Sequence, residues 1–241
     1  MMLGGSFGSD KDSENNADSK TDTSESKAPQ ATDGGSSKPS PSEAPEGGTS
    51  GDVEPSALPS LLASVTDLND RFKADLVPAG AVQNSPFTGM TIQPSNCAGA
   101  LQPGIDYVYD RANYTGFAGQ ILTSNAPNVK VMQAVISFNT ETEATRFFND
   151  QYTAWKGCNY TEVTASGGGQ SETAKTGVAA EGDGTATFLI WPDTGDSQRG
   201  CQRGMTPRKN VVVDVRVCSQ NVASSGFTLA RDIGAKITGE R

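Results

Sequence analysis

The sequence predicts an α+β domain: a central antiparallel sheet, helices packed on one face, and two disulfides. Three observations carry this. The β-branched runs are joined by connections of hairpin length, which antiparallel strands can use and parallel strands cannot. The regular strand–helix alternation of a parallel sheet is missing. Four cysteines, Cys97, Cys158, Cys201 and Cys218, stand far apart with no C-x-x-C among them. That pattern points away from zinc and thioredoxin-like chemistry and toward disulfides in an oxidising compartment.

Leu58, Leu61, Leu62, Val65, Leu68 and Phe72 recur at three- and four-residue steps, which predicts one amphipathic helix with Pro59 in its first turn. Residues 81–116 are turn-rich, with a short strand at Met90-Thr91-Ile92 leading to Cys97. Phe117–Ser124 and Val129–Phe138 read as strands, with Asn125-Ala126-Pro127-Asn128 as the hairpin turn between them. Thr140 and Glu143 form a capping box for a helix that lines up Ala144, Phe147, Phe148, Tyr152 and Trp155. Gly157 stops that helix, and Cys158 follows at once, so a disulfide pins the helix end. Further strands are expected at 159–165, 173–179 and 185–191. The last helix spans about 224–238, with Phe227, Ala230, Ile233 and Ile237 inward.

Cys201 opens a short extended piece, residues 206–210 read as a turn, and Val211–Cys218 is a strand by its valines. Cys201 and Cys218 then face each other across a hairpin, leaving Cys97 to Cys158. The loop-entropy relation gives about 3 kcal/mol for the short loop and about 4 kcal/mol for the long one.

The chain has 241 residues, a net charge of −9 and no histidine. Histidine-based nucleophiles, general bases and metal ligands are therefore excluded. Residues 1–55 hold 11 Asp/Glu against 4 Lys/Arg and only nine hydrophobic residues. Such a segment cannot bury enough apolar surface to offset its ordering entropy, so it reads as a disordered linker. Residues 56–241 suit a single domain. Its charge is nearly balanced, which argues against a nucleic-acid partner. No run is long enough to span a membrane, and Met1–Ser6 is too short for the apolar region of a signal peptide.

Register supplies the candidate site. If Cys201 opposes Cys218, then Arg203 opposes Arg216 and Met205 opposes Asp214. Two facing arginines repel unless something anionic sits near them. Asp214 supplies that charge as a structural ion pair, and an anionic ligand is the alternative. Trp191 ends a strand beside Pro192 and an acidic loop, which makes it a candidate cleft wall. Trp155 lies on a helix's apolar stripe and reads as core. Asp183, Asp193 and Asp196 lack the D-x-D-x-D-G pattern of a calcium loop and read as solvated turn residues. Neither a metal nor a cofactor is expected.

Several stretches together resemble a known family. Asn96-Cys97-Ala98-Gly99-Ala100-Leu101 follows a Leu-rich helix, and Val135-Ile136-Ser137-Phe138 leads to a helix ending Trp155-Lys156-Gly157-Cys158. Cys201-Gln202-Arg203-Gly204-Met205 precedes Asn210-Val211-Val212-Val213 and Val217-Cys218. Over about residues 56–241 the chain resembles the extracellular sensor domain of the PknH-type mycobacterial kinases, a domain shared with actinobacterial lipoproteins and secreted proteins. The resemblance implies two disulfides, first to second and third to fourth cysteine. It also implies an antiparallel sheet with a large ligand cleft and a disordered linker to a membrane anchor. Cys97 lies too deep in the domain to be a lipidated N-terminal cysteine. The expected function is a non-catalytic, extracytoplasmic binding or sensing domain of an actinobacterial envelope protein, either a lipoprotein or a receptor ectodomain. Its partner would be a small molecule or envelope component, and it would meet membrane only through an anchor upstream. The alternatives are an envelope interaction protein without a small ligand and a carboxylate-based envelope hydrolase.

Overall fold

The computed structural model describes residues 51–196 and 198–240. The expected linker therefore lies outside the described residues except for 51–55. Within that stretch Val53 already docks, because the Asn210 side chain accepts from its N–H at 2.8 Å and donates to its carbonyl at 3.1 Å. Among the described residues no helix is long and apolar enough to cross a membrane.

The centre is a nine-stranded sheet. In chain order the strands are β1 (Val77–Pro78), β2 (Thr91–Gln93), β3 (Tyr114–Asn125), β4 (Asn128–Phe138), β5 (Glu162–Gly167), β6 (Gln170–Gly182), β7 (Thr185–Pro192), β8 (Arg199–Arg208) and β9 (Val211–Gln220). Their order across the sheet is β1-β3-β4-β9-β8-β7-β6-β5-β2. Every pairing between them is antiparallel. The very short β1 and β2 close the two edges, which limits the unpaired backbone an edge would offer. Among the described residues six α-helices accompany the sheet: α1 (Leu58–Leu61), α2 (Val65–Phe72), α3 (Ala98–Leu101), α4 (Asp106–Tyr109), α5 (Glu141–Lys156) and α6 (Ser225–Thr238).

Helices cover both faces of the sheet rather than the one face expected. The reason is legible in β4 and β9. Val129, Val131 and Val135 join Val211, Val213, Val215 and Val217 in a core with Leu58, Leu229 and Ile233 of α1 and α6. Met132, Ile136 and Val212 point the other way, into a core with Tyr109, Phe148 and Trp155 of α4 and α5. A central strand that is apolar on both faces needs a layer on each. At the contact with α6 the chain uses glycine. A Cβ on Gly204 would lie 2.2 Å from the Gly226 carbonyl oxygen, and one on Gly226 would lie 2.4 Å from that of Gln202.

Three local expectations change. The first amphipathic stretch is two helices, because Gln133 of β4 bonds both the N–H and the carbonyl of Ala63, at 2.8 and 3.0 Å. Ser64 then caps α2 by accepting from the Asp67 N–H at 3.1 Å. Residues 206–208 continue β8, and the turn is Lys209-Asn210 alone. Pairing Cys201 with Cys218 sets a register that folds at that point. Beyond Met205 β8 has only β9 beside it, where Pro207 is tolerated. In α6, Leu229 is fully buried while Phe227 is only partly so and stacks against Arg231.

The expected cap on α5 is present. Thr140 accepts from the Glu143 N–H at 3.2 Å, while Glu143 reaches back to the backbone and side-chain nitrogens of Asn139. The disulfides are Cys97–Cys158 and Cys201–Cys218. The first ties the segment before α3 to the end of α5.

Candidate functional site: a cationic cleft beside a disulfide

The β8–β9 hairpin has the expected register: Cys201 opposes Cys218, Arg203 opposes Arg216, and Met205 opposes Asp214. All six side chains therefore share the α5 face of the sheet. The two arginines have different fates.

Arg203 is fully buried and fully partnered. Its Nε donates to the Val215 carbonyl at 3.1 Å and its Nη1 to the Gly99 carbonyl at 2.6 Å. Its Nη2 pairs with the Asp214 carboxylate. The guanidinium lies 4.8 Å from the centre of the Trp155 ring. The second Asp214 oxygen accepts from the Tyr109 hydroxyl and the Gly104 N–H, both at 2.9 Å. Burial, then the Asp214 charge, holds the Tyr109 hydroxyl well above its ordinary pKa. This is a closed joint between the sheet and the 99–109 segment. Each guanidinium nitrogen and each carboxylate oxygen already has a protein partner.

Arg216 is 8% exposed and poorly partnered. Its Nη1 reaches the Leu101 carbonyl at 3.3 Å and the Gln102 amide oxygen at 3.4 Å. Its Nη2 donates to the Cys201 sulfur, a weak acceptor, at 3.2 Å. Glu172, half in solvent, stands 3.7 Å away. The Arg216 Nε is buried and has no hydrogen-bond partner among the described residues. Burial, with Arg203 and Arg199 adding to it against Glu172, lowers the Arg216 pKa to about 10.

Arg216 lies on the floor of a cleft of about 910 Å³. Lys130 of β4, Arg199 and Cys201 of β8, and Arg216 and Cys218 of β9 share that floor. One wall is the β5–β6 hairpin with Gln170, Ser171, Glu172 and Thr173, continued by Pro192–Thr194. The other is the 87–90 loop with Phe87, Thr88 and Met90, backed by Leu101 and Gln102. The walls meet where Gly167 packs on the Gly89 carbonyl, 2.6 Å from where a Cβ would stand. Burial, then the Arg216 and Arg199 charges, lowers the Lys130 pKa against the pull of Glu172. Three cations thus converge on a partly buried surface with two cleft-lining carboxylates, Glu172 and Asp193. Backbone bonds hold the walls in place: Phe87 accepts from the Asp106 N–H, and Gly104, itself bonded to Asp214, accepts from the Phe87 N–H.

Of the sequence-derived candidates, Arg216 is in the cleft, while Arg203 and Asp214 are the joint beside it. Trp191 is not a cleft wall. It is 45% exposed and lies on the face opposite Ile190, whose buried side chain belongs to the α5 core. Its ring rests on Gly177, where a Cβ would stand 2.9 Å away. Lys130, Arg199 and Glu172 were not singled out from sequence. Lys130 had a usable signal, since pairing the two valine-rich strands puts it beside Cys218. Of the loop acids, Asp183 pairs with Arg231 at 3.4 Å, Asp196 accepts from Gln198 and Gln220, and Asp193 lines the cleft.

The sequence profile of the PknH-like extracellular domain matches residues 53–236. The chain belongs to that family. It is 28% identical over 190 residues to the serine/threonine-protein kinase PknH of Mycobacterium bovis, covering 76% of this chain and 31% of the kinase. The match to PknH of Mycobacterium tuberculosis is also 28% over 190 residues, covering 30% of that protein. The chain therefore spans about a third of the length of these relatives. The crystal structure of the extracellular domain of Mycobacterium tuberculosis PknH superposes with a TM-score of 0.73 at 27% identity, covering 80% of this chain and all of that one. The PknH-like domain of this chain is extracytoplasmic, in keeping with its two disulfides.

Proposed function

We propose that this PknH-like domain is a non-catalytic binding module of the actinobacterial envelope, and that its cleft takes a small anionic ligand. The observation that carries the reading is the contrast between the two arginines. Arg203 pairs with the Asp214 carboxylate and donates to the Gly99 and Val215 carbonyls at 2.6 and 3.1 Å. Arg216, slightly more exposed, has long contacts to neutral acceptors, a sulfur, and one solvent-facing carboxylate. A buried cation without strong partners is costly unless something supplies them. A carboxylate or phosphate in the cleft would meet the Arg216 fork, with Lys130 and Arg199 beside it. Neutral amides and hydroxyls on the walls, among them Gln83, Thr88, Gln170 and Thr173, suit the uncharged part of such a ligand.

The domain would work as the exposed part of a lipoprotein or a receptor, with the linker joining it to its anchor. A carboxylate-based hydrolase is less well supported, since Glu172 faces Arg216 rather than a second acid. The test is a thermal-shift panel of anionic and neutral envelope metabolites on the full chain and on Arg216→Gln. Anions should raise the wild-type Tm, and the variant should lose that response. Stabilisation by neutral compounds alone, or an unchanged response in the variant, contradicts the reading.

A further inference from the structure

Both disulfides are buried in the same apolar cluster, with Cys201 1% and Cys218 3% exposed, but they differ in what else they meet. Cys97–Cys158 belongs to the apolar core, and its Cys158 sulfur lies 3.8 Å from the Asn96 carbonyl oxygen. Cys201–Cys218 lines the cleft. Lys130 is its register neighbour on β4, Arg216 donates to the Cys201 sulfur, and Arg199 shares the same floor, with Glu172 as the opposing carboxylate. Cations beside a sulfur stabilise its thiolate and make it a better leaving group in thiol–disulfide exchange.

We propose that Cys201–Cys218 is a thiol-exchange site for anionic low-molecular-weight thiols, with Cys218 the sulfur attacked and Cys201 the sulfur that leaves. The direction follows from the sheet. The bridge runs across β8 and β9, and exchange requires approach in line with the breaking bond. In-line approach to Cys218 comes from the β4 side, where its partner is Lys130, a partly exposed cation on the cleft floor. In-line approach to Cys201 comes from the β7 side, where its partner is the fully buried Ile190. Attack on Cys218 also leaves the negative charge on Cys201, the sulfur that already holds the Arg216 guanidinium.

The incoming thiolate forms a new S–S bond to Cys218 Sγ. The Cys201–Cys218 bond breaks, and its electron pair leaves on Cys201 Sγ as a thiolate. A second thiolate of the same class then releases Cys218, so the bridge is reduced and two reagent thiols become one disulfide. The site does not depend on which ligand the cleft otherwise takes.

The test treats the full chain with mercaptoethanesulfonate or with cysteamine at matched thiolate concentration, then traps with iodoacetamide and maps the cysteines by mass spectrometry. The expected product carries the reagent on Cys218 and the alkyl group on Cys201, with Cys97–Cys158 still closed. The sulfonate should react faster than the amine. Arg216→Gln should slow opening by roughly three- to tenfold with either reagent. Lys130→Gln, at a partly exposed position, should remove the preference for the sulfonate while leaving the fold intact. Reagent on Cys201, earlier opening of Cys97–Cys158, no reagent preference, or no reaction at all would overturn the proposal.

Discussion

At the residue scale, the hairpin places two arginines side by side and the structure gives them opposite roles. The Arg203–Asp214 pair is buried and saturated, so removing one partner strands the other. Arg203→Gln should cost roughly 3–5 kcal/mol. Arg216→Gln should stay within about 1 kcal/mol of wild type, because it removes weak contacts along with a desolvated charge. Urea denaturation of both variants measures the difference, and equal losses would contradict the division of roles. Tyr109 adds a pH signature. Its folded-state pKa is raised above the unfolded value of 10.0, so the folded chain holds the proton longer. That contribution to stability is complete below pH 10.0 and is lost as pH rises past it. Tyr109→Phe should therefore be less stable than wild type near neutrality, and the gap should narrow above pH 10.0 in denaturation curves taken across that range.

At the element scale, much of the architecture was legible because its signals are local. The Thr140/Glu143 cap, the 125–128 turn and the alternation of Val211–Cys218 each sit within one stretch of sequence, and each is where it was expected. What was not legible depends on distant partners. The break after α1 is set by Gln133, seventy residues away. The two-sided cover of the sheet depends on how β4 and β9 pair. Trp191 could be given its face only once β7 was paired in register with β8. The α6–β8 contact is another long-range feature, and it depends on two glycines. Gly204→Ala should destabilise by roughly 1–3 kcal/mol through overpacking against the Gly226 backbone. Gly182→Ala, which meets nothing within 4 Å, should be nearly neutral. Equal effects in thermal melts would remove the close-approach argument.

At the scale of the whole molecule, two apolar layers hold a sheet whose central strands turn polar and cationic at one end of one face. The sequence alone yielded the family resemblance, the disulfide pairing and one cleft cation. The other two cations come from β4 and from the start of β8, and only the assembled sheet brings them beside Arg216. We propose that this convergence is an anion site. The direct measurement is a two-dimensional NMR titration of the arginine Nε–Hε signals of the full chain with inorganic phosphate. The Arg216 signal should shift and saturate, together with the backbone amides of Lys130 and Arg199, while the Arg203 signal stays fixed in its closed joint. Uniform drift of exposed arginines with no saturation at Arg216, or a shift centred on Arg203, would contradict it.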